Sequence, residues 1–185
     1  RPVALSATGR LRPTMQFIIR TIDTITEAVG GLAALIVIPL TLATCYEVFA
    51  RYVFGAPTIW AFELGYTLMG FHFLLGGAMT LKRGAHIRID LIYAQLSKRK
   101  QAMIDLALYL LLIVPALGML SNRLGSYALE AWHSGETTGH SAWNPVIWPL
   151  RAVITVSFVL LLLQVVSECL KCIQVLRNRP TGVAA

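Results

Sequence analysis

The sequence predicts an all-α integral membrane protein with four transmembrane helices, both termini cytoplasmic, and an amphipathic helix near the N-terminus. Apolar residues make up 56% of the 185 residues and charged residues 14%, against about 25% charged residues in an average soluble domain. The mean hydropathy is +0.66. Four apolar stretches approach the roughly 20 residues that a helix needs to cross the hydrocarbon layer. Together these values argue against a soluble globular domain.

The four predicted spans cover residues 30–50, 60–81, 102–122 and 146–170. The third contains a run without charged residues at 106–122, and the fourth contains another at 152–167. Pro39 and Pro115 fall inside the first and third spans, where the missing backbone N–H is expected to kink the helix. The connections are too short to fold by themselves, so the sequence predicts a single membrane domain over residues 15–172.

The regions flanking the spans are more polar. We expect a flexible cytoplasmic N-terminus at residues 1–14 and a cytoplasmic tail at 173–185. Between residues 15 and 29, apolar residues recur at helical spacing, with Arg20, Asp23 and Glu27 on the other side. This pattern predicts an amphipathic helix in the membrane interface that leads into span one, which is expected to be an uncleaved anchor. The alternative is a cytoplasmic extension of one long tilted helix.

The distribution of basic residues predicts the topology. The segment 81–100, between spans two and three, contains six Lys and Arg residues and one acid, Asp90. Translocation of such a short basic loop is unfavourable, so we expect it on the cytoplasmic side. In this orientation 13 of the 16 Lys and Arg residues are cytoplasmic, and segments 51–59 and 123–145 lie outside. The net charge of +7 is therefore a topology signal with weak attraction to anionic membrane lipids, and it does not indicate nucleic-acid binding.

The sequence shows no motif typical of an enzyme or of a cofactor site. Cys169 and Cys172 form a CxxC pair, but the pair lacks the further ligands that a closed zinc site needs. No nucleophile–base pair and no phosphate-binding glycine loop is present. His72 falls in the middle of span two, where a haem ligand, a proton relay or an interhelical hydrogen bond would each satisfy it. The other three histidines fall in loops, so we expect no haem and no other cofactor.

Three ionisable residues are predicted to converge at the outer ends of spans one and two. Glu47 and Arg51 lie four residues apart, the spacing of a helical ion pair, and Glu63 lies one turn into span two. The cluster is either an ion or substrate site or a structural clamp to a neighbouring helix or partner. The clamp is favoured because transport sites lie near the bilayer midplane. In a partly dry cluster, removal of Arg51 is expected to cost more than removal of either acid.

Small residues recur along span two, at Ala61, Gly65, Gly70, Gly76 and Gly77. Because small residues let helix backbones approach closely, span two is expected to pack on protein along most of its length. The alternative is that these glycines reflect only the general frequency of glycine in membrane helices.

The basic segment after span two alternates between polar and apolar residues, with Arg83, His86, Arg88 and Asp90 at its polar positions. We expect a salt bridge between Arg88 and Asp90 that folds the segment back on the helices.

Tryptophans mark the predicted outer membrane surface. Trp60 stands at the start of span two, and Trp132, Trp143 and Trp148 lie in or beside segment 123–145. Trp is enriched at membrane–water interfaces because its ring is apolar and its N–H is polar. We expect all four side chains at the level of the outer headgroups.

Several strings in the middle of the chain together resemble one protein family. They are EVFARYVFGAP at 47–57, WxxEL at 60–64, GGA at 76–78, KRGAHIRID at 82–90, WHSGE at 132–136 and PxxWxxR at 145–151. In order and spacing, these strings are similar to the small (DctQ-like) membrane subunit of tripartite ATP-independent periplasmic (TRAP) transporters. The resemblance covers about residues 45–165, and neither the N-terminal helix nor the C-terminal tail shares it.

The resemblance implies a four-helix subunit of the bacterial inner membrane that pairs with a large TRAP permease subunit. A periplasmic substrate-binding protein would deliver an organic acid, and a sodium gradient would drive uptake. The small subunit would brace the scaffold of the large subunit and provide part of the periplasmic docking surface. The residues expected at structural or partner interfaces are Glu47, Arg51, Trp60, Glu63, His72, Arg83, His86, Arg88 and Asp90. The candidates for periplasmic docking are Trp132, Ser134, Glu136 and Trp143.

Two other classes of protein are weighed against this one. A four-helix membrane anchor of a respiratory, cytochrome b-type enzyme needs paired intramembrane ligands, whereas His72 stands alone in the spans. A small stand-alone exporter needs an intramembrane acid, and the one candidate, Glu63, lies near the membrane surface. An absorbance scan tests the first class, and co-purification with a large permease tests the second.

Overall fold

The computed structural model describes residues 13–85 and 96–177, which form helices joined by short connections. The helices are α1 (Pro13–Leu35), α2 (Val37–Val53), α3 (Ala61–Lys82), α4 (Lys98–Leu108), α5 (Val114–Ser134) and α6 (Trp148–Arg177), and a π-helical turn (Tyr109–Ile113) joins α4 to α5. Because α1 and α2 are nearly continuous, these elements form four long segments, each apolar enough to cross a membrane. The prediction of an all-α membrane protein with four spans is confirmed.

The first segment, Pro13–Val53, is a 41-residue helix interrupted only at Ile36. Pro39 has no N–H to donate to the carbonyl of Leu35, so the regular helical hydrogen bonding fails at this point. At the interruption, the N–H of Ile36 donates to the carbonyl of Ala33 at 3.1 Å, three residues earlier, whereas a regular α-helix bonds four residues earlier. Pro39, at which the sequence predicts a kink, thus lies about one turn after the interruption of the helix.

Helix α1 packs against α3 and α6 along the bundle. Its polar side faces these helices, since Thr26 is buried, whereas Phe17 on the opposite side is 70% exposed. Of the two alternatives for residues 15–29, this arrangement matches an extension of span one. The helix is amphipathic as predicted, but its polar side makes protein contacts.

The third segment, Lys98–Ser134, is longer than the predicted span 102–122. Pro115 cannot donate a backbone hydrogen bond, and just before it the N–H of Val114 reaches back to the carbonyl of Tyr109, which produces the π-helical turn. The helix ends only at Gly135, whose φ of +64° is left-handed and suits glycine. Residues 123–134, which the sequence placed outside the membrane as part of the connection 123–145, are therefore helical, because Asn122 and Arg123 end the apolar run without ending the helix.

Residues 135–147 form a short hairpin on top of the bundle. An isolated antiparallel bridge pairs Thr137 with Val146, and the N–H of Thr138 donates to the carbonyl of Pro145 at 3.0 Å. We call residues 135–147 the outer hairpin, and the end of the bundle that holds it the hairpin end. The opposite end, which holds Lys82, Arg83 and Lys171, is called the basic end.

Of the small residues predicted on span two, Ala61 is buried, but the closest approach that a glycine permits between helices lies elsewhere. A Cβ added to Gly30 of α1 would lie 2.7 Å from the Cβ of Met79 of α3, whereas one added to Gly65, Gly70, Gly76 or Gly77 would meet no atom within 4 Å. The expectation that the α3 glycines permit close approach is wrong within this chain. Phe73 on the same helix is 79% exposed, so α3 presents one face outward.

Candidate functional site: the interhelical polar contacts

The most extensive polar contact in the described residues joins α1 to α6 near the basic end. The Asp23 carboxylate accepts hydrogen bonds from Gln164 Nε2 at 3.1 Å and from Ser167 Oγ at 3.0 Å. It also pairs with Lys171 Nζ at 2.9 Å. Lys171 and Gln164 both reach Glu168 as well, at 2.8 and 3.1 Å. One ammonium group thus holds two carboxylates together, and separation of the two helices would leave the Asp23 carboxylate without its counter-charge.

One helical turn from Asp23, a fully buried pair extends this contact. Thr26 Oγ1 donates to Gln164 Oε1 at 2.8 Å, and both residues are at most 2% exposed. The Gln164 side chain therefore bonds to α1 through both its oxygen and its nitrogen, a bidentate contact that sets the rotation of one helix against the other. We call the set Asp23, Thr26, Gln164, Ser167, Glu168 and Lys171 the α1–α6 network.

Sequence reasoning missed this network. It assigned Asp23 to the polar side of an interfacial helix and counted Lys171 only as a topology charge. A signal was present, because Gln164 is a polar side chain inside an apolar span, and such residues face protein.

A second contact at the basic end joins α1 to α3. Glu27 forms ion pairs with Lys82 and with Arg83, the latter at 2.6 Å. Lys82 Nζ also donates to the backbone carbonyl of Asp23 at 2.9 Å. Arg83 therefore occupies a structural interface within the chain. Its predicted companions His86, Arg88 and Asp90 lie outside the described residues.

His72 forms an interhelical hydrogen bond, one of the three roles that the sequence left open. Its Nδ1 lies 2.9 Å from the carbonyl oxygen of Ala33 on α1, which requires a proton on Nδ1. The contact lies next to Ile36, where α1 ends and its last carbonyls lack regular partners. His72 thus stabilises the interruption that Pro39 creates. No cluster of His, Cys, Asp or Glu among the described residues has a metal-binding arrangement.

At the hairpin end, Glu47 and Arg51 form the predicted ion pair, with Arg51 Nε 2.9 Å from Glu47 Oε1. Glu47 also accepts the backbone N–H of Thr58 at 2.8 Å, and it bonds the Thr58 hydroxyl. The Arg51 side chain is 54% exposed and that of Glu47 only 14%. Glu47, and not Arg51, is therefore the enclosed member of the pair, because it organises the turn between α2 and α3.

Glu63 bonds elsewhere. Its Oε1 accepts a hydrogen bond from Thr138 Oγ1 of the outer hairpin at 3.0 Å, and the residue is 0% exposed. Its Oε2 is buried and has no hydrogen-bond partner within residues 13–85 and 96–177. The structure thus brings Glu47 and Arg51 together and gives Glu63 a separate role, the seating of the hairpin on α3. Nearby, Trp60 stacks on Tyr46 with ring centroids 5.9 Å apart.

The outer hairpin is also fastened to α5 and α6. Arg151 Nη1 and Nη2 donate to the two carboxylate oxygens of Glu136 at 2.7 and 2.8 Å. The same guanidinium lies over the Tyr127 ring, 3.8 Å from its centroid. A bidentate ion pair combined with a cation–π contact fixes the position of the planar guanidinium. Arg151 thus connects three elements, whereas the sequence indicated only a position at the outer end of span four.

The docking candidates have different environments. Trp132 packs edge-to-face on Trp148, 4.4 Å between centroids, and Ser134 is the exposed last residue of α5. Glu136 is engaged by Arg151. Trp143 lies in the outer hairpin and is 44% exposed.

The fold and these contacts define a multi-pass helical membrane protein whose polar side chains hold its own segments together. The model of the family "Tripartite ATP-independent periplasmic transporters, DctQ component" matches residues 40–175. This range is 136 of the 185 residues, and it runs from α2 to near the end of α6. The chain belongs to this family and is a small permease subunit of a TRAP transporter. No curated protein sequence matches the chain. All of α1, with Asp23 and Thr26, precedes the family match.

Proposed function

We propose that the chain serves a sodium-coupled, binding-protein-dependent transporter that takes up an organic acid across a bacterial inner membrane. In this assembly it braces the scaffold of the large permease subunit and provides part of the periplasmic docking surface. The basic end and both termini face the cytoplasm, and the hairpin end faces the periplasm. The family match supports a role in a transport system. The sodium coupling, the organic-acid substrate and the bacterial inner membrane are what the resemblance implies, and the contacts described above support the bracing and docking roles.

One observation carries the bracing role. The interhelical polar contacts of the described residues each tie one segment of the chain to another: α1 to α6 through Asp23 and Lys171, α1 to α3 through His72, and α3 to the hairpin through Glu63. A transport site needs polar groups that exchange partners as substrate enters and leaves. Groups that already bond each other suit a part that stays rigid while another subunit moves.

The outer hairpin is the proposed docking surface. Two separate attachments, Arg151 to Glu136 and Thr138 to Glu63, hold its base. A surface that is ordered before binding loses less entropy when a partner docks. Trp143 within the hairpin and Ser134 at the adjoining end of α5 are exposed, and Trp is enriched at protein–protein interfaces. Glu136 acts here by fixing the hairpin through Arg151.

Reconstitution tests the proposal. The chain is purified alone, with the large permease subunit, and with the permease plus the binding protein, and each preparation is placed in liposomes. We expect uptake of a radiolabelled organic acid only with all three components and an inward sodium gradient. Uptake by the chain alone would contradict the proposal. Uptake by the three components that does not depend on the sodium gradient would also contradict it. A series of monocarboxylates, 2-oxo acids and C4-dicarboxylates identifies the substrate.

A further inference from the structure

Glu63 is a completely buried acid at the junction of α3 and the outer hairpin. The residue is 0% exposed, and the Thr138 hydroxyl donates to its Oε1 at 3.0 Å. Its Oε2 is also buried and has no hydrogen-bond partner among residues 13–85 and 96–177. The described part of the chain thus offers this carboxyl one neutral hydroxyl and leaves its second oxygen bare.

The charged side chains on the neighbouring elements bond each other instead of Glu63. They are Glu47 with Arg51 of α2, and Glu136 of the outer hairpin with Arg151 of α6. Of the other titratable groups, Tyr66 of α3 interacts electrostatically with Glu63, but a phenol carries no positive charge. His140 of the hairpin is exposed to water. Within the described residues, Glu63 therefore has no cation that would neutralise a carboxylate.

An ionised carboxylate in these surroundings would be very unfavourable. A bare charge is far more costly to bury than a neutral carboxyl, so a buried acid without a cation takes up a proton. The positive end of the α3 helix dipole favours the ionised form, but this effect is weak compared with the desolvation of a charge. A proton also needs no space of its own, which suits a side chain without accessible surface. The neutral carboxyl still accepts the Thr138 hydroxyl through Oε1.

We propose that a protonated Glu63 seats the outer hairpin on α3 and makes this contact a proton-dependent latch. When the hairpin lifts, Glu63 meets water and ionises near pH 4.3, as an exposed glutamate does, to about that value. Above this pH the seated form binds one proton more than the lifted form, so rising pH favours the lifted form. The ion pair of Arg151 with Glu136 keeps the base of the hairpin attached. The inference goes beyond the proposed function, because it does not depend on what docks or what is transported.

A nitroxide label on the outer hairpin measures the latch. The label is attached to Ala142→Cys, an exposed position, in the full chain in lipid nanodiscs. The native residues Cys45, Cys169 and Cys172 are replaced by Ala. As the pH rises from about 5 to about 9, we expect the ratio of mobile to immobile label to increase, by at most about tenfold per pH unit for one released proton. Glu63→Gln, which has nearly the shape of the neutral acid and cannot ionise, should keep the label immobile throughout.

Three controls isolate the contribution of Glu63. His133 and His140 are exposed and titrate in the same pH range, so both are replaced by Gln in every chain of the series. Thr138→Val removes the hydroxyl and should leave the label mobile at every pH. Glu130→Gln removes an exposed carboxyl of α5 and should leave the pH response unchanged. A response that persists in Glu63→Gln, or a parent chain without any response, would overturn the inference.

Infrared difference spectroscopy detects the proton itself. At neutral pH, we expect the carboxylic-acid C=O band to be stronger in the parent chain than in Glu63→Gln, with equal carboxylate bands. A carboxylate band that disappears in Glu63→Gln would show that Glu63 is charged and held by an ion or by a group outside the chain, which contradicts the latch. Failure of Glu63→Gln to fold, judged by circular dichroism and gel filtration, would contradict it as well, because the amide has the size of the neutral acid.

Discussion

Gln164 of α6 and Thr26 of α1 form a hydrogen bond of 2.8 Å between two residues that are 138 positions apart in the chain and almost completely buried. The bond joins a helix that lies outside the family match to one that lies mostly inside it. It defines how α1 is oriented on the bundle, because a small rotation of either helix would leave both polar groups unsatisfied.

Replacement of Thr26 by Val removes this bond with little change of shape. Hydrogen bonds between membrane helices are worth about 0.6 kcal/mol on average and up to ~1.7 kcal/mol, so we expect the free energy of unfolding to fall within that range. Gln164→Leu should cost more, because it also removes the donors to Asp23 and Glu168. Unfolding in mixed micelles titrated with SDS measures both variants. A double mutant whose loss equals the sum of the single losses would show that the two side chains are not coupled.

Lys171 is the one cation of the α1–α6 network, and Lys171→Ala leaves Asp23 and Glu168 without a counter-charge. Loss of one partner from a fully buried pair costs about 3–5 kcal/mol, and Lys171 is partly accessible, so we expect a loss of about 2–4 kcal/mol. Asp23→Asn should cost less, since an amide still accepts hydrogen bonds from Ser167 and leaves the Lys171–Glu168 pair in place. The same SDS titration compares the loss of unfolding free energy in Lys171→Ala with that in Asp23→Asn. An Asp23→Asn loss as large as that of Lys171→Ala would contradict this account.

Gly30 and Gly31 of α1 are neighbours with opposite environments. An added Cβ at Gly30 would come within 2.7 Å of the Met79 Cβ, whereas one at Gly31 would meet nothing within 4 Å. Overpacking typically costs about 1–3 kcal/mol, so Gly30→Ala should destabilise the α1–α3 contact by that amount. Gly31→Ala is the control and should change stability by less than about 1 kcal/mol. Equal effects of the two substitutions in thermal unfolding would disprove the close approach of α1 and α3.

Loss of the Glu47 side chain should loosen the α2–α3 turn more than loss of the Arg51 side chain does. The sequence suggests the reverse order. The sequence-based order assumed that the Arg51 guanidinium is partly shielded from water, whereas the Arg51 side chain is 54% exposed. Arg51→Ala removes a solvent-screened pair of small value, while Glu47→Ala also removes the two hydrogen bonds that hold Thr58 in the α2–α3 turn. Limited proteolysis between residues 54 and 60 should become faster in Glu47→Ala and stay unchanged in Arg51→Ala. Faster cleavage in Arg51→Ala alone would support the sequence-based order.

The topology is testable with single cysteines. In a chain with Cys45, Cys169 and Cys172 replaced by Ala, Ser97→Cys and Ser134→Cys place thiols before α4 and at the end of α5, where both positions are exposed. With the basic end cytoplasmic, a membrane-impermeant maleimide applied to the periplasmic face should label Ser134→Cys only. Ser97→Cys should react after the membrane is permeabilised. The opposite labelling pattern would show that the basic end faces the periplasm.

The sequence by itself determined the four spans, the Glu47–Arg51 pair and the family, because each depends on composition or on local spacing. Helix length and bilayer thickness relate directly to runs of apolar residues, and an i, i+4 pair needs only one helix. The helical structure of residues 123–134 was not predicted because an apolar run marks the hydrocarbon region, whereas a helix continues until the backbone changes, here at Gly135.

Only the tertiary structure decided which polar side chains meet across helices. Asp23 with Lys171, His72 with Ala33 and Glu63 with Thr138 are distant in sequence. Each contact depends on the rotation and depth of two helices that many weak packing contacts set together. The same reason explains why Gly30, and not the glycines of α3, makes the close contact: a small residue permits close approach, but the neighbouring helix determines where that approach occurs.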